Sequence, residues 1–185
     1  ARPPVNGSSC PALADGPGIQ HAPRIIRGLS APVAGFTVNR ADAPGDCQDT
    51  RAKILIAYNI GVLKFKRNKP CNVSWGEWVC PYTGRHVYKA SDLDIDHIVP
   101  LAWAHRHGGA FWPRAKKREF ANDPLNLVPV LAEANREKGD SGPDEWRPPN
   151  KAYWPEYARR WREALAKYNL TADRAAANAL KEMKI

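Results

Sequence analysis

The chain has 185 residues, which suits one domain with a hydrophobic core rather than two domains. Hydrophobic residues make up 43% of it, which excludes a disordered chain, and no apolar run approaches the roughly 20 residues that span a bilayer. Lys and Arg number 28 against 19 Asp and Glu, so the formal net charge is +9. This excess favours a polyanion partner such as nucleic acid, although solubility alone explains it equally well.

Residues 1–45 are rich in Pro and Gly and predict an irregular N-terminal arm, whereas residues 46–185 predict a single folded domain. The spacing of apolar residues from Asp49 to Phe65 predicts a core-facing helix that includes Val62. Thr83-Gly84 predicts a turn.

Four cysteines occur, at Cys10, Cys47, Cys71 and Cys80, and they allow three pairings. None lies in a CxxC pair, so a structural zinc site of the usual spacing is not expected. We predict a Cys71–Cys80 disulfide across a hairpin that reverses at residues 74–76, and a Cys10–Cys47 disulfide that holds the arm; four free thiols are the alternative. The even count and the missing initiator Met favour an oxidising compartment, and hence a secreted or periplasmic protein.

The second half of the chain predicts short strands and helices. A strand is expected over residues 93–100, where Asp92 and Asp94 alternate with apolar residues and are assigned to a solvated face. The alternative for Asp94 is a partner that orients a neighbouring functional side chain. Short helical segments follow, interrupted by Gly108-Gly109 and by Pro113. A strand is then predicted over 125–130, and the helix after it ends at Gly139. Two more helices are predicted, one over 153–168 and a last one that begins at Thr171. The fold class is therefore α+β, with one small antiparallel hairpin packed among helices.

Polar residues mark the ends of these elements. Asp96 and His97 end one strand, Asn126 opens the next, and Asn135 lies inside the following helix. The runs DIDHIVPL, NDPLNLVPV and ANREKGD, within residues 80–150, resemble the HNH endonucleases, the ββα-metal or His-Me finger nucleases, and their secreted branch in particular. The resemblance implies a ββα-metal motif over about residues 93–139.

The proposed chemistry explains these residue types. Phosphodiester hydrolysis needs an activated water and stabilisation of the charge that develops on the phosphate and the leaving oxygen. A neutral imidazole suits the first task, so His97 is the candidate general base. Hard oxygen ligands suit Mg²⁺, with Mn²⁺ as an alternative, and the resemblance assigns Asp96 and Asn135 to the metal. It assigns Asn126 to orienting the loop that carries the base. Many family members have a second histidine where this chain has Asn135.

Basic residues near the motif are candidates for phosphate contacts. Arg136 and Lys138 follow Asn135 in the predicted helix, and Lys117 and Arg118 belong to a basic run over residues 114–118. The alternative for each is an ordinary charged helix face.

The expected function is that of a secreted or periplasmic, sequence-tolerant endonuclease that cuts DNA through one Mg²⁺ and leaves 5′-phosphates. RNA stays open as a substrate, and a monomer without membrane contact is expected. Two alternatives remain: a nuclease toxin neutralised by an immunity protein, and a basic nucleic-acid-binding module without catalysis. Metal-dependent cleavage separates the enzymes from the binding module.

Overall fold

The computed structural model describes residues 47–183, so the N-terminal arm and Cys10 lie outside the described residues. The strands are β1 Lys64–Phe65, β2 Val73–Val79, β3 His86–Lys89, β4 Leu93–His97 and β5 Leu127–Leu131. The helices are α1 Thr50–Ala57, α2 Leu101–Arg106, α3 Arg114–Asn122, α4 Ala132–Lys138, α5 Trp154–Tyr168 and α6 Arg174–Glu182. The α+β class is confirmed. No helix within 47–183 is long and apolar enough to cross a membrane.

The strands form two antiparallel sheets. One has the order β1-β2-β3, and the other pairs β4 with β5, from Leu93 opposite Leu131 to His97 opposite Leu127. Helix α4 follows β5 directly and packs on both strands of the smaller sheet. Every residue of β4 and β5 is buried. The expectation of a half-exposed β4 is therefore wrong for Asp94, which is fully buried, and right for Asp92, which precedes the strand and is exposed.

Helix α1 is shorter than predicted. The side chain of Asp49 accepts a hydrogen bond from the Ala52 amide and caps its first turn, but the helix stops at Ala57. The next residues pair with β2 instead, because the Ile60 amide donates to the Glu77 carbonyl and the Asn59 side chain accepts from the Glu77 amide. As a result Val62 is exposed rather than part of the core.

The predicted hairpin between two cysteines is wrong. Residues 74–76 lie inside the continuous strand β2, and the chain reverses later, over residues 80–85, where Gly84 has a φ of +73°. The predicted Thr83-Gly84 turn is thus confirmed. Gly76 is needed for close packing, since a Cβ there would clash with the Trp78 ring.

The disulfide pairing follows from this strand. The seven residues of β2 lie between Cys71 and Cys80 and span about 20 Å of extended chain, far more than a disulfide can bridge. Cys71 bonds Cys47 instead, and Cys80 is a buried free thiol whose sulfur accepts a hydrogen bond from the Leu131 amide. Both predicted pairs, Cys71–Cys80 and Cys10–Cys47, are therefore wrong.

The two last helices cover the core. Tyr157 and Trp161 of α5 are buried, as their spacing predicts. The cap of α6 is Asp173, whose side chain accepts from the Ala176 amide, and not the predicted Thr171. The cap thus lies two residues later than predicted, and the Thr171 amide donates to the His107 carbonyl.

A buried carboxylate joins the end of α3 to the end of α5. Asp123 accepts hydrogen bonds from the Leu125 amide, from Lys167 and from the Tyr168 hydroxyl, the last two at 2.8 and 2.7 Å. Burial alone would raise the pKa of Asp123, but these hydrogen bonds outweigh it and hold the pKa below its ordinary value.

Because the folded protein lowers the pKa of Asp123, its ionised form stabilises the fold above the pKa of the unfolded chain. That stability is lost as the pH falls through the lower, folded-state pKa. We expect Asp123→Asn to reduce the free energy of unfolding at pH 7 by about 1–3 kcal/mol. The difference from the wild type should shrink as the pH approaches 3 in urea unfolding. A difference that is constant between pH 7 and pH 3 would contradict this account.

Candidate functional site

Asp96 lies at the centre of a buried polar cluster between β4 and α4. The ammonium of Lys138 is 2.9 Å from Oδ2 of Asp96 and 3.2 Å from Oδ1, and it also donates to the His97 carbonyl at 2.8 Å. The Tyr82 hydroxyl, from the turn between β2 and β3, donates to Oδ2 of Asp96 at 2.6 Å. Three segments that are distant in sequence thus meet at one carboxylate.

The electrostatics of this cluster follow from burial. Burial raises the pKa of Asp96, and the opposing effects of the Lys138 charge and the Tyr82 hydrogen bond only partly offset the rise. Burial also lowers the pKa of Lys138, against the effect of the Asp96 charge. The pKa of Tyr82 is well above its ordinary value because of burial and the nearby carboxylate, so its hydroxyl stays a donor.

Asp94 lies two residues before Asp96 and therefore on the same face of β4. The Asn135 amide donates to Oδ2 of Asp94 at 3.2 Å, and Lys138 comes three residues after Asn135, on the same face of α4. The contacts Asp94–Asn135 and Asp96–Lys138 therefore lie side by side in the interface between β4 and α4.

This cluster suits a hard cation. Oδ1 of Asp94 is buried and accepts no hydrogen bond from any residue in the described range, while the ammonium of Lys138 contacts the carboxylate of Asp96. An unsatisfied carboxylate oxygen in a buried, net acidic cluster is stabilised by a positive ion. The cluster contains the oxygens of Asp94, Asp96 and Asn135, which are of the kind that Mg²⁺ prefers. Between residues 47 and 183 no three His, Cys, Asp or Glu side chains group as metal ligands.

His97 points away from this cluster. Consecutive strand residues project to opposite faces, and the imidazole Nε2 lies 2.9 Å from the Ala121 carbonyl in the last turn of α3. A carbonyl only accepts hydrogen bonds, so Nε2 carries the proton and Nδ1 keeps its lone pair. The pKa of His97 is lowered to about 4, mainly because the imidazole is buried. The hydrogen bond to Ala121 raises this pKa, and the charge of Lys138 lowers it further. The imidazole is therefore neutral at pH 7.

Asn126 fixes the chain that follows His97. Its side chain accepts from the Val99 amide at 2.8 Å and donates to the Val99 carbonyl at 3.0 Å, and its own carbonyl accepts from the Ile98 amide. These three hydrogen bonds hold residues 98–99 in one position. The geometry suits the positioning role that was predicted for Asn126.

Arg160 of α5 braces the segment that carries Asn126. The buried guanidinium donates to the carbonyls of Pro124, Leu125 and Leu127 at 2.7–2.9 Å, and to the Tyr58 hydroxyl. The sequence analysis did not identify it. Its position three residues after Tyr157, on the apolar face of the helix, is the signal that could have found it.

Two of the predicted phosphate contacts are buried. Lys138 is fully enclosed by its contacts with Asp96, and Lys117 is 9% exposed and donates to the Ala110 carbonyl. Neither side chain lies at the surface of this structure, and their predicted contacts with substrate stay predictions. Arg118 and Arg136 are exposed, so their predicted role stays a prediction.

The sequence does not predict Tyr82 as a site residue, and for Asp94 it gives a place in the site only as the alternative to a solvated face. Tyr82 lies in a turn, where no periodicity marks it as buried, and Asp94 belongs to an alternating pattern that also describes a surface strand. Only the packing of α4 over β4 turns that face inward.

Comparison with known proteins gives the family of the chain. Residues 49–183 match the family described as the C-terminal domain of the GmrSD restriction endonucleases. This match confirms the resemblance to HNH-like endonucleases that the motif residues indicated. A protein of Arthroderma benhamiae named "Uncharacterized secreted protein" is 41% identical over 115 residues, which cover 61% of this chain and 56% of that protein. The chain thus spans little more than half the length of this relative. No solved structure matches the chain.

The bracing by Arg160 can be tested against its neighbour Arg159. Arg160→Met would remove the hydrogen bonds to three carbonyls and to the Tyr58 hydroxyl, and we expect it to lower the free energy of unfolding by about 3 kcal/mol or more. Arg159 forms exposed ion pairs with Glu156 and Glu163 on the same helix, so Arg159→Met should cost about 1 kcal/mol or less. Urea unfolding measures both. Equal losses in the two variants would contradict the bracing role.

Proposed function

The chain belongs to the family of the C-terminal domain of the GmrSD restriction endonucleases, and on this premise we propose that it is a metal-dependent, HNH-type endonuclease. It would hydrolyse phosphodiester bonds of DNA, and of RNA with the same backbone chemistry, without reading base sequence. The observation that carries the proposal is the buried oxygen cluster of Asp94, Asp96 and Asn135, together with the neutral imidazole of His97 on the opposite face of the same strand end.

The site would form at the carboxyl end of β4. Asp96 and His97 are consecutive, so their Cα atoms are about 3.8 Å apart although their side chains leave opposite faces of the strand. A phosphate that approaches the end of the strand would come between them. Asn126 would hold residues 98–99 against this end and so keep the imidazole in position.

His97 would act as the general base. With Nε2–H bound to the Ala121 carbonyl, Nδ1 can accept a proton from a water molecule as the water oxygen bonds to phosphorus. The bond from phosphorus to the 3′-oxygen breaks, and the leaving oxygen takes a proton from solvent. The products would carry a 5′-phosphate and a 3′-hydroxyl.

The oxygens of Asp96 and Asn135, with Asp94 beside them, would hold Mg²⁺, which neutralises charge on the phosphate and the leaving oxygen when bound. Lys138 would serve as the counterion of Asp96 in the metal-free protein. Tyr82 would keep one oxygen of Asp96 oriented by its hydrogen bond.

We infer that the protein acts outside the cytoplasm. The Cys47–Cys71 disulfide suits an oxidising compartment, and the relative from Arthroderma benhamiae is named a secreted protein. These features favour an extracellular enzyme that acts alone over a nuclease toxin that needs an immunity protein.

Plasmid digestion tests the proposed role of His97 as the general base. We expect the wild type to cut plasmid DNA with Mg²⁺ and to lose this activity with chelator, and His97→Ala to lower the rate by about 10²–10⁴-fold. His105→Ala, on α2, is the matched control and should keep the wild-type rate. A His97→Ala protein that melts like the wild type and cuts undiminished would overturn the assignment. Binding of DNA without cleavage in any divalent ion would select the non-catalytic alternative.

Thermal unfolding tests the metal ligands without relying on activity. Mg²⁺ at about 100 times its dissociation constant should stabilise the wild type by about 2.7 kcal/mol. Asn135→Ala should abolish this increment, whereas Glu133→Gln, an exposed position on the same helix, should keep it. Comparing each variant with and without Mg²⁺ removes any loss of stability that the substitution itself causes. An unchanged increment in Asn135→Ala would exclude Asn135 as a ligand.

A further inference from the structure

The three-stranded sheet carries a row of exposed aromatic rings that the proposed hydrolytic site does not use. Trp75 on β2 and Tyr88 on β3 are each 41% exposed, and their rings stack with centroids 6.1 Å apart and planes 24° apart. His86 continues the row, 6.5 Å from Tyr88 with planes 27° apart. We call Trp75, Tyr88 and His86 the aromatic row.

The aromatic row lies on the outer face of this sheet. Trp78 and Val87, which are opposite each other in the register of β2 and β3, are buried and face the core. Of the six large hydrophobic residues exposed within 47–183, only Phe111 lies outside residues 60–88. A concentration of exposed apolar groups on one face is a feature of binding surfaces rather than of ordinary solvated ones.

The charge around the aromatic row is strongly positive. Residues 59–90 contain six Lys or Arg against one acidic residue, Glu77. The six basic residues are all exposed: Lys64, Lys66, Arg67, Lys69, Arg85 and Lys89. Lys64 and Lys89 pair with Trp75 in the sheet register. Glu77 lies 3.3 Å from the His86 imidazole, so the surrounding lysines keep their excess of positive charge.

The surface begins beside the candidate site. The turn over residues 80–85 contributes Tyr82 to Asp96, and Arg85 forms an ion pair with Glu133 of α4. His86 is the next residue, and from there the row runs along the strands to Trp75. Trp75 lies four residues before Val79, the partner of His86, so the row extends about 13 Å along the strand, which is the length of a few nucleotides.

We propose that the aromatic row and its lysines bind an unpaired strand of the nucleic-acid substrate, a conclusion that rests on the proposed function. Exposed rings between cations are complementary to flat bases on a phosphate backbone. The faces of bases in a duplex are covered by their neighbours, so stacking on these rings requires unpaired nucleotides. The surface would therefore favour single strands, or locally opened duplex, next to the site of cleavage.

Binding measured without metal tests this proposal separately from cleavage. The full chain is titrated, in chelator, into a fluorescein-labelled oligothymidine of about 20 nucleotides and into a duplex of the same length, with anisotropy as the readout. The test variant is Trp75→Ala/Tyr88→Ala, and Trp75→Phe/Tyr88→Phe keeps the rings. Phe111→Ala, which removes an aromatic ring that is 93% exposed elsewhere, is the matched control.

We expect the double alanine variant to weaken binding of the single strand by about tenfold or more and binding of the duplex by less than about threefold. The phenylalanine variant and Phe111→Ala should bind like the wild type. Unchanged binding of the single strand, or an equal loss for both ligands, would overturn the proposal. So would a change of molar mass in light scattering caused by the alanine variant alone, which would identify a protein interface. Ring-dependent binding without cleavage in Mg²⁺ would instead overturn the proposed function.

Discussion

The buried ion pair between Asp96 and Lys138 is the interaction on which the arrangement of the site depends. It joins β4 to α4, and the Tyr82 hydroxyl brings the turn between β2 and β3 to the same carboxylate. Removing one partner would leave a charge buried without compensation, which costs about 3–5 kcal/mol in proteins. The pair therefore fixes α4 on the sheet, and this in turn places Asn135 against Asp94.

A second network holds the other side of β4. Arg160 binds the carbonyls around Asn126, and Asn126 binds both backbone groups of Val99. These contacts connect the middle of α5 to the loop after His97 without touching the imidazole. The two networks meet at His97, because Lys138 binds its carbonyl and Asn126 holds the residues that follow it.

The sequence predicted those parts that depend on local patterns and on the motif. The α+β class, the end of α4 at Gly139 and the turn at Gly84 follow from periodicity and glycine chemistry, and the family followed from the DIDHIVPL run. The burial of Asp94 and Lys138 could not be predicted, because it depends on which elements pack over them. The disulfide was mispredicted for the same reason: a strand and a hairpin share the sequence CNVSWGEWVC, and only pairing with β1 and β3 distinguishes them.

The hydrogen bond from His97 to Ala121 has a consequence for how the imidazole is held. The last carbonyls of a helix have no partner within the helix, so the imidazole also serves as a cap for the final turn of α3. One proton thereby satisfies a helix end and selects the tautomer of the base. If that turn frayed, the ring would lose its anchor and could rotate or exchange tautomers. The orientation and the tautomer of the His97 imidazole thus depend on the last turn of α3, a helix that does not belong to the unit formed by β4, β5 and α4.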